Sequence, residues 1–247
     1  MGNDRDPDQR DHGGLIAPEA AAPAGPEPVR APTRTILQAE ALAWLRENPA
    51  PAGTSVITSL PDVSELPERG FEGWKAWFGE AARAVLRWVP APGLTIFFQS
   101  DVRREGVWID KGYLVQRAAE EEGRTLLWHK VVCRHPPGTI NHGRASYSHL
   151  LCFAHAPRPR ITHPGPDVLP DPGFKPWSKA MGVDACRLAC RFLKEESETT
   201  LVVDPFCGHG TALAVANWYG FNALGVELST RKVRAARRLV LEDDRKT

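Results

Sequence analysis

The sequence contains no long hydrophobic run, and its apolar stretches have the length of single strands. A membrane-spanning helix needs roughly 20 apolar residues in succession, so we expect no transmembrane segment and no membrane partner. The first residues, MGNDRDPDQRDHGG, are polar and acidic, which is the opposite of a secretory signal. Cysteine is scarce, with 5 widely spread residues, so the sequence predicts a cytoplasmic protein with reduced thiols.

An excess of charge of either sign is also missing, because 31 Lys and Arg residues balance 30 Asp and Glu residues to a net charge of +1. Any basic surface must therefore be local. With 247 residues, the chain is long enough for one domain with a full hydrophobic core. Large apolar residues are rare in residues 1–32, which predicts a disordered tail followed by a single domain over residues 33–247.

Beyond Arg34, short apolar strands alternate with amphipathic helices. The predicted strands are residues 35–37, 54–59, 94–99, 125–133, 148–156, 200–205 and 222–228. The predicted helices are residues 40–47, 74–88, 110–122 and 182–195, one from Thr211, and 229–243. This alternation predicts a mostly parallel sheet with helices on both faces, in which 125–133 and 148–156 form an antiparallel pair. Ligands of such sheets bind beyond the carboxyl ends of the strands.

The most specific segment, LVVDPFCGHGT, combines a buried strand, an acid and a glycine turn that opens a helix. Gly208 and Gly210 allow a sharp turn and a close approach of the backbone to a ligand, and Thr211 is placed to cap the helix. Glu227 ends the next predicted strand, where a carboxylate accepts hydrogen bonds from the two hydroxyls of a ribose. The alternative is an ordinary strand-to-helix turn followed by a surface glutamate.

DPFCGHGT, followed by a helix and GFNALGVELS, resembles the S-adenosylmethionine site of the DNA adenine/cytosine amino-methyltransferases, which commonly reads DPFxGSGT with a later G-x-E. In one permuted class of that family the catalytic half precedes the cofactor half, and this chain shows that order: RTILQAEALAWL is similar to the family's first strand, and VITSLPD takes the place of its S/D/N-P-P-Y/F motif. The resemblance covers about residues 34–242. It implies an α/β, Rossmann-like class I methyltransferase fold with a seven-stranded sheet, circularly permuted.

The resemblance also implies S-adenosyl-L-methionine as the cofactor. Its methionine end would be surrounded by Asp204, Phe206, Gly208, Gly210 and Thr211, and its ribose would be held by Glu227. Glu40 would approach the adenine edge, or it is an acid favoured by the dipole at a helix N-terminus. Lys175 and Ser178 would contact the amino-acid end, or they are ordinary polar residues of a loop.

The catalytic half departs from the family's pattern. Ser59 takes the polar position of the motif, Leu60 replaces the first proline, Pro61 matches the second, and Asp62 replaces the aromatic residue that stacks on a flipped base. By the resemblance, Ser59 and the main chain at Leu60 and Pro61 would orient an amine whose lone pair is delocalised into the ring. Asp62 would accept a proton or bind a different target. The alternative is a strand-end serine and a turn aspartate.

A local basic block lies between Arg124 and Pro166, where no Asp or Glu occurs and where six of the 8 histidines are found. Two loops of this block, RHPPGTINHGRAS and HAPRPRITHPGP, would surround the entrance for the methyl acceptor. Cations on loops suit contacts with phosphates, and the alternative is a solvated basic surface. The predicted nucleic-acid contacts are Lys130, Arg134, Arg144, Arg158 and Arg160.

The predicted function is the transfer of a methyl group from S-adenosyl-L-methionine to an exocyclic amine of a base in DNA or RNA. Two alternatives stay open: a methyltransferase of a protein or small molecule, and a catalytically silent binding subunit. We expect no metal, because Cys186 and Cys190 lack the partners of a closed zinc pattern. The helical spacing of Trp74, Trp77 and Trp88 favours packing in the core over a role in the site.

Overall fold

A computed structural model describes residues 1–2 and 31–242. The chain divides into two units, Met1–Arg30 and Ala31–Thr247. The predicted tail, residues 1–32, therefore lies almost wholly outside the described residues. Among the residues that are described, no helix is long and apolar enough to cross a membrane.

The second unit contains ten strands and six α-helices in its described part. The strands are β1 (Arg34–Gln38), β2 (Thr54–Thr58), β3 (Thr95–Gln99), β4 (Val102–Arg104), β5 (Val107–Ile109), β6 (Thr125–Cys133), β7 (Tyr147–Ala154), β8 (Val168–Leu169), β9 (Leu201–Asp204) and β10 (Asn222–Glu227). The helices are α1 (Ala41–Glu47), α2 (Gly70–Trp88), α3 (Lys111–Glu121), α4 (Val183–Glu196), α5 (Thr211–Trp218) and α6 (Thr230–Arg238). Two short 3-10 turns, Val63–Glu65 and Pro67–Arg69, lie between β2 and α2.

Eight strands form one sheet in the order β1-β10-β9-β2-β3-β7-β6-β8. The first five are mutually parallel, and β7 pairs antiparallel with both β3 and β6. The predicted mostly parallel sheet and its antiparallel pair are confirmed. The eighth strand is the two-residue β8, which the predicted seven strands do not include. β1 pairs with β10, so the first and last strands in chain order are neighbours in the sheet.

Helices cover both faces of the sheet, because alternate residues of the buried strands point to opposite sides. On one face α4, α5 and α6 pack against Ile57, Ile96 and Val202. On the other face α1, α2 and α3 pack against Val56, Phe97 and Val203. Each strand thus contributes to two hydrophobic layers, and the strand ends are left to form the site.

Two local features differ from the sequence-based expectation. The last helix was expected to reach Asp243, but α6 ends at Arg238 because Leu239 adopts an extended conformation. A hairpin of β4 and β5, over residues 102–109, was not predicted. Its turn is made by Glu105 and Gly106, whose φ angles of 51° and 82° are those of a tight hairpin turn, and its strands, Val-Arg-Arg and Val-Trp-Ile, are too short to show an alternation of apolar and polar residues.

Candidate functional site

A cavity of about 470 Å³ lies beyond the carboxyl ends of β1, β9 and β10. A pocket of this size is in the range of small-molecule sites. We call it the glycine-turn cavity. The residues that line it and enter the argument below are Glu40, Trp77, Trp177, Asp204, Phe206, Gly208, Thr211 and Glu227.

The glycine turn forms one wall of this cavity and requires its glycines. Gly208 and Gly210 have φ angles of 53° and 79°, in the region that L side chains rarely adopt. A β-carbon at Gly210 would also lie 3.2 Å from the β-carbon of Ala236 in α6. Gly210 precedes the first helical residue, so the expectation that Thr211 caps α5 is wrong: Thr211 is itself that first residue. Its hydroxyl is buried and has no hydrogen-bond partner among the described residues.

Asp204 is buried at the end of β9, between two donors. Its Oδ1 accepts hydrogen bonds from the Thr58 hydroxyl at 2.6 Å and from the Phe206 amide at 3.1 Å. Burial raises the pKa of Asp204 to about 7, against the opposing effect of these two hydrogen bonds. Both bonds use the same oxygen, which leaves Oδ2 for a positively charged ligand group.

Glu227 is held in place by the backbone of two neighbouring turns. Its carboxylate accepts hydrogen bonds from the Gly208 amide at 3.1 Å and from the Ser229 amide at 2.8 Å. Each oxygen keeps a free lone pair towards the cavity. Glu40 also lines the cavity, but its carboxylate accepts from the Leu42 and Ala43 amides at 3.1 and 2.7 Å and so caps α1. Two hypotheses were given for Glu40, a contact with adenine and an acid at a helix N-terminus. The geometry of its side chain matches the second.

Aromatic side chains form a second wall, in which Phe206 was predicted to belong to the site and Trp77 was not. Trp74 is fully buried, as expected, whereas Trp77 lines the cavity and meets the ring of Phe206 edge-on at 5.9 Å. Trp177 packs against the glycine turn, 3.5 Å from where a β-carbon of Gly208 would lie. Helical spacing places Trp77 at the margin of the apolar face of α2, which is typical of a core residue. Its contact with Phe206, which lines the cavity, shows that Trp77 belongs to the wall of the site.

A second cavity, of about 300 Å³, adjoins the first at the end of β2. We call it the basic cavity. Ser59, Leu60, Glu65, Lys179 and Ala180 line both cavities. Other residues that line the basic cavity are Asp62, Ser100, Asp101, Arg103, Arg104, Lys111, Arg134, Arg144, Lys175 and Ser178. Its cations outnumber its acids, so an acceptor with anionic groups is favoured there.

The predicted catalytic segment lies at the junction of the two cavities. Ser59 and Leu60 line both, whereas Asp62 lines only the basic cavity. The Pro61 carbonyl accepts a hydrogen bond from the indole of Trp74 at 3.1 Å, and Pro61 lines only the glycine-turn cavity, so Leu60 is the one of these two residues that borders both cavities.

Asp62 forms an ion pair with a lysine that the sequence reading missed. Lys111 Nζ lies 3.6 Å from Asp62 Oδ2, and the Lys111 side chain is only 4% exposed. Burial lowers the pKa of Lys111, while the charges of Asp62 and Asp101 act in the opposite direction. Lys111 begins α3, far from Asp62 in sequence, so no local motif could have revealed the pair.

Lys175 and Ser178 line the basic cavity and not the glycine-turn cavity where they were expected to contact the cofactor. The loop from β8 to α4 crosses both cavities. Trp177 of this loop lines the glycine-turn cavity, Lys179 lines both cavities, and Lys175 and Ser178 line the basic cavity.

The five predicted nucleic-acid contacts separate into two groups. Arg134 and Arg144 line the basic cavity, as the prediction requires. Lys130 is buried, and its ammonium contacts Asp167 at 3.1 Å and the Trp128 ring at 5.3 Å, so it is not available to a phosphate. The other two, Arg158 and Arg160, follow β7.

Strand direction explains why Arg158 lies elsewhere. β7 runs against the parallel strands, so the loop after it leaves at the opposite edge of the sheet from the cavities. There the Arg158 guanidinium donates to the carbonyls of Glu196 and of Pro92, the latter at 3.2 Å. The expectation that both basic loops surround one entrance is therefore wrong for the second loop, which also carries the exposed Arg160.

Asp101, at the back of the basic cavity, anchors a pair of histidines that the sequence reading did not bring together. His149 Nε2 lies 3.0 Å from Asp101 Oδ1, and His149 Nδ1 lies 2.8 Å from His129 Nε2. Burial acts to raise the pKa of Asp101, but the hydrogen bond and charge of His149 outweigh it, and the pKa is lowered.

Ligand atoms of Asp101, Asp110 and His149 lie within 4.8 Å of one another, close enough to surround a metal ion. The Asp101 carboxylate, however, already accepts hydrogen bonds from His149, Trp108 and the Lys111 amide. These hydrogen bonds satisfy the buried Asp101 carboxylate, so its burial does not require a metal ion. That the protein uses no metal stays a prediction.

A scan of known protein families and a search of curated proteins each gave no match. Solved structures do match. The Thermus thermophilus protein TTHA0409, described by its name as a DNA modification methylase and solved with S-adenosyl-L-methionine, aligns with a TM-score of 0.61 and 22% identity over 83% of this chain and 91% of that chain. The cytosine-N4-specific PvuII DNA methyltransferase aligns with a TM-score of 0.64 and 16% identity over 86% and 88% of the two chains.

The M1.HpyAVI–SAM complex aligns with a TM-score of 0.53 and 15% identity over 83% of this chain and 98% of that chain. Because the sequence identities are only 15–22%, the structural similarity establishes the fold alone. The chain has the mixed, mostly parallel sheet and helices of the class I methyltransferases, which confirms the predicted α/β fold, whereas the circular permutation stays a prediction. The activity has to be argued from the residues of the two cavities.

Proposed function

We propose that this protein is an S-adenosyl-L-methionine-dependent methyltransferase that methylates an exocyclic amine of a base in nucleic acid. The observation that carries the proposal is the junction of two cavities at Ser59 and Leu60: one is formed by the glycine turn with Asp204 and Glu227, and the other is lined by more cations than acids. The structural neighbours named above are DNA methyltransferases, which makes DNA the first polymer to test.

The residues of the glycine-turn cavity fit this cofactor. Thr211 offers a buried hydroxyl without a partner among the described residues, and Asp204 offers a free carboxylate oxygen to an ammonium group. Glu227 is held by two backbone amides at the cavity wall, where its carboxylate is placed to accept from the hydroxyls of a ribose. Phe206 and Trp77 supply an aromatic wall beside these polar groups. When bound, S-adenosyl-L-methionine supplies a methyl group activated by a sulfonium.

The chain's own residues would then prepare the acceptor. Ser59 and the Leu60 carbonyl accept hydrogen bonds from the amine, which localises its lone pair and directs it towards the neighbouring cavity. The amine loses one proton on methylation, and Asp62 is the nearest carboxylate in the segment to receive it. Arg134 and Arg144 hold phosphates at the entrance.

Cofactor binding is tested by titration calorimetry with S-adenosyl-L-methionine on the wild type, on Asp204→Ala and on Glu72→Gln. Glu72 is an exposed acid in the first turn of α2 and serves as the charge control. We expect tight binding to the wild type and the control, and no measurable binding to Asp204→Ala. Equal binding by all three proteins would refute the assigned cavity.

The acceptor class is tested with a radiolabelled methyl donor on separated DNA, RNA and protein fractions. The proposal requires label in a nucleic-acid fraction. Label in protein or in small molecules would favour the first alternative, and tight donor binding without transfer to any fraction would favour a silent binding subunit.

A further inference from the structure

The β4–β5 hairpin and the loop between β6 and β7 meet at the basic cavity and hold each other in place. Arg103 of β4 donates from Nη1 to the His142 carbonyl of the loop at 3.2 Å, and Val102 forms a backbone bridge with Arg144. Arg103 and Arg144 both line the cavity, one from the hairpin and one from the loop. The two segments therefore form one surface, residues 102–109 and 134–146, which we call the hairpin rim.

Trp108 of the hairpin rim has an exposed ring that is nevertheless held in a fixed orientation. Its indole N–H donates to Asp101 Oδ2 at 3.1 Å, and Asp101 lines the basic cavity. The residue is 46% exposed, and within the part of the chain that the structure describes it belongs to neither hydrophobic layer. In the hairpin it pairs with Arg103, so the two side chains lie on the same face. A flat ring with a cation beside it is thus exposed next to the cavity.

The loop side of the rim contributes cations that no acid neutralises. Among the described residues, no carboxylate lies within ion-pair distance of the guanidinium of Arg134 or Arg144. Burial lowers the pKa of Arg134, and the charge of Arg144 acts in the same direction, against the charge of Asp62. The pKa of Lys175, at the wall of the same cavity, is lowered by burial and then by the charge of Arg134. Cations that repel one another in this way favour the binding of an anion between them.

An exposed ring and unpaired cations side by side match the chemistry of a single strand of nucleic acid. In such a strand the face of an unpaired base stacks on an aromatic side chain, while the phosphates contact cations. In a duplex each base is already stacked between its neighbours, so the face that Trp108 would contact is covered. An acidic peptide would match the cations alone and leave the ring without a partner.

We propose that the hairpin rim binds a single-stranded segment of nucleic acid, with an unpaired base stacked on Trp108 and phosphates held by the arginines of the rim. This inference rests on the proposed function and narrows its acceptor to single-stranded DNA or RNA. The stacking tolerates any sequence, because every base has an aromatic face. The ring therefore contributes affinity for an unpaired strand, and the arginines contribute the dependence of binding on salt.

The first test compares the binding of four nucleic acids to the full chain by fluorescence anisotropy. The probes are labelled oligonucleotides of about 15 nucleotides, within the range of known single-strand sites: a DNA strand, an RNA strand of the same sequence, and the duplex of each. At least one single strand should bind about 10-fold more tightly than its duplex, and the comparison of the two strands identifies the polymer. Duplexes that bind as tightly as the single strands would overturn the inference. So would a polyglutamate peptide that binds as tightly as they do, because it cannot stack.

Variants of Trp108 test the stacking. Trp108→Ala should weaken single-strand binding by about 5- to 150-fold, the range for one stacked base, and leave the salt dependence unchanged, because the ring neutralises no phosphate. Trp108→Phe keeps a ring but loses the bond to Asp101, and it should keep most of the affinity. Val107→Ala is the matched control, because Val107 is exposed on the opposite face of the hairpin.

Single-strand binding by Trp108→Ala that equals the wild type would overturn the stacking on Trp108. Equal losses in Trp108→Ala and Trp108→Phe would also overturn it, because they would assign Trp108 a structural role through its bond to Asp101. A loss in Val107→Ala as large as that in Trp108→Ala would show that the hairpin as a whole, and not the ring, is responsible.

The second test measures transfer of a labelled methyl group to the same strands and duplexes, and it separates this inference from the proposed function. The expected result is label in a single strand and little or none in its duplex. Label confined to duplexes would overturn the single-strand inference while leaving the methyltransferase function intact. Preferential binding of single strands without any labelled nucleic acid would instead count against the enzymatic function and support the binding surface.

Discussion

Asp204 and Glu227 are both carboxylates at strand ends, but their local surroundings give them different properties. Asp204 is buried beside the Thr58 hydroxyl, and its pKa rises to about 7, well above its usual value of 3.8. Glu227 is half-buried and oriented by backbone amides. The first group is suited to bind a cation that restores its charge, and the second to accept from neutral hydroxyls.

The raised pKa of Asp204 makes the stability of the free protein depend on pH. The carboxyl holds a proton in the folded state where the unfolded chain has lost it, so its stabilising contribution is complete below about pH 4 and is lost as the pH rises through about 7. Asp204→Asn keeps the shape and the Oδ1 acceptor without titrating. Relative to this variant, the free energy of unfolding of the wild type should fall by up to about 4 kcal/mol over that range.

Urea denaturation of both proteins between pH 4 and pH 8 measures this difference. It should grow with pH and level off above about pH 7. A difference that is the same at all pH values would mean that Asp204 is ionised in the folded protein throughout.

Gly210 combines an unusual backbone conformation with a close contact. Its φ of 79° disfavours any L residue, and a β-carbon would lie 3.2 Å from Ala236. We expect Gly210→Ala to lower the free energy of unfolding by about 1–3 kcal/mol through strain and by a further contribution through the contact. Gly220→Ala is the matched control, because Gly220 has a φ of 84° and nothing within 4 Å. Equal losses in denaturant titrations would show that the contact with α6 contributes nothing.

At the scale of elements, the direction of one strand decides which basic loop belongs to the site. β6 runs with the parallel strands, so the loop that follows it emerges beside the cavities with Arg134. β7 runs in the opposite direction, and the loop that follows it emerges at the other edge with Arg158. Two loops of the same composition therefore have different roles.

The different positions of the two loops predict different effects for alanine variants of their arginines. Arg134→Ala and Arg144→Ala should each weaken binding of an oligonucleotide and lower the dependence of log K on log salt by about 1, the value for one lost phosphate contact. Arg158→Ala should leave the salt dependence unchanged and lower stability by about 1 kcal/mol, because it loses hydrogen bonds to two carbonyls.

The measurements are fluorescence anisotropy at several salt concentrations and thermal denaturation. Arg160→Ala serves as the control on the same loop, with no expected effect on either. A reduced salt slope in Arg158→Ala would mean that nucleic acid reaches both edges of the sheet.

At the scale of the whole molecule, two hydrophobic layers hold one sheet, and the strand ends at one edge carry both cavities. The residues that line the cavities all come from the unit Ala31–Thr247. The candidate donor site and acceptor site share a wall at residues 59–60.

We therefore expect a chain that begins at Ala31 to bind S-adenosyl-L-methionine as the full chain does. At a concentration of about 100 times the dissociation constant, the ligand should add about 2.7 kcal/mol of stability to both, by mass action. Thermal shift experiments on both chains, with Glu227→Gln as the variant that loses the ribose contact, measure this. A shift confined to the full chain would assign residues 1–30 a part in binding.

The sequence by itself determined the seven longer strands, most helix positions and the glycine turn, because these depend on apolar periodicity and on backbone conformations that only certain residues allow. It also placed Asp204 and Glu227 at adjoining strand ends, since parallel strands end at one edge. It could not place Trp77, because the margin of an apolar stripe reads as core. Nor could it find the Asp101–His149–His129 chain, whose members come from separate elements.

Only the tertiary structure decided which charges serve the site. Lys111 and Asp62 meet because α3 starts beside the segment that follows β2, and Lys130 is withdrawn from solvent because its strand lies under the loop at Asp167. The sequence shows where charged residues occur, but not the direction in which their side chains point. A contact depends on the face and the edge of the sheet at which a side chain lies. That dependence arises from pairing between strands distant in the chain, which no local pattern contains.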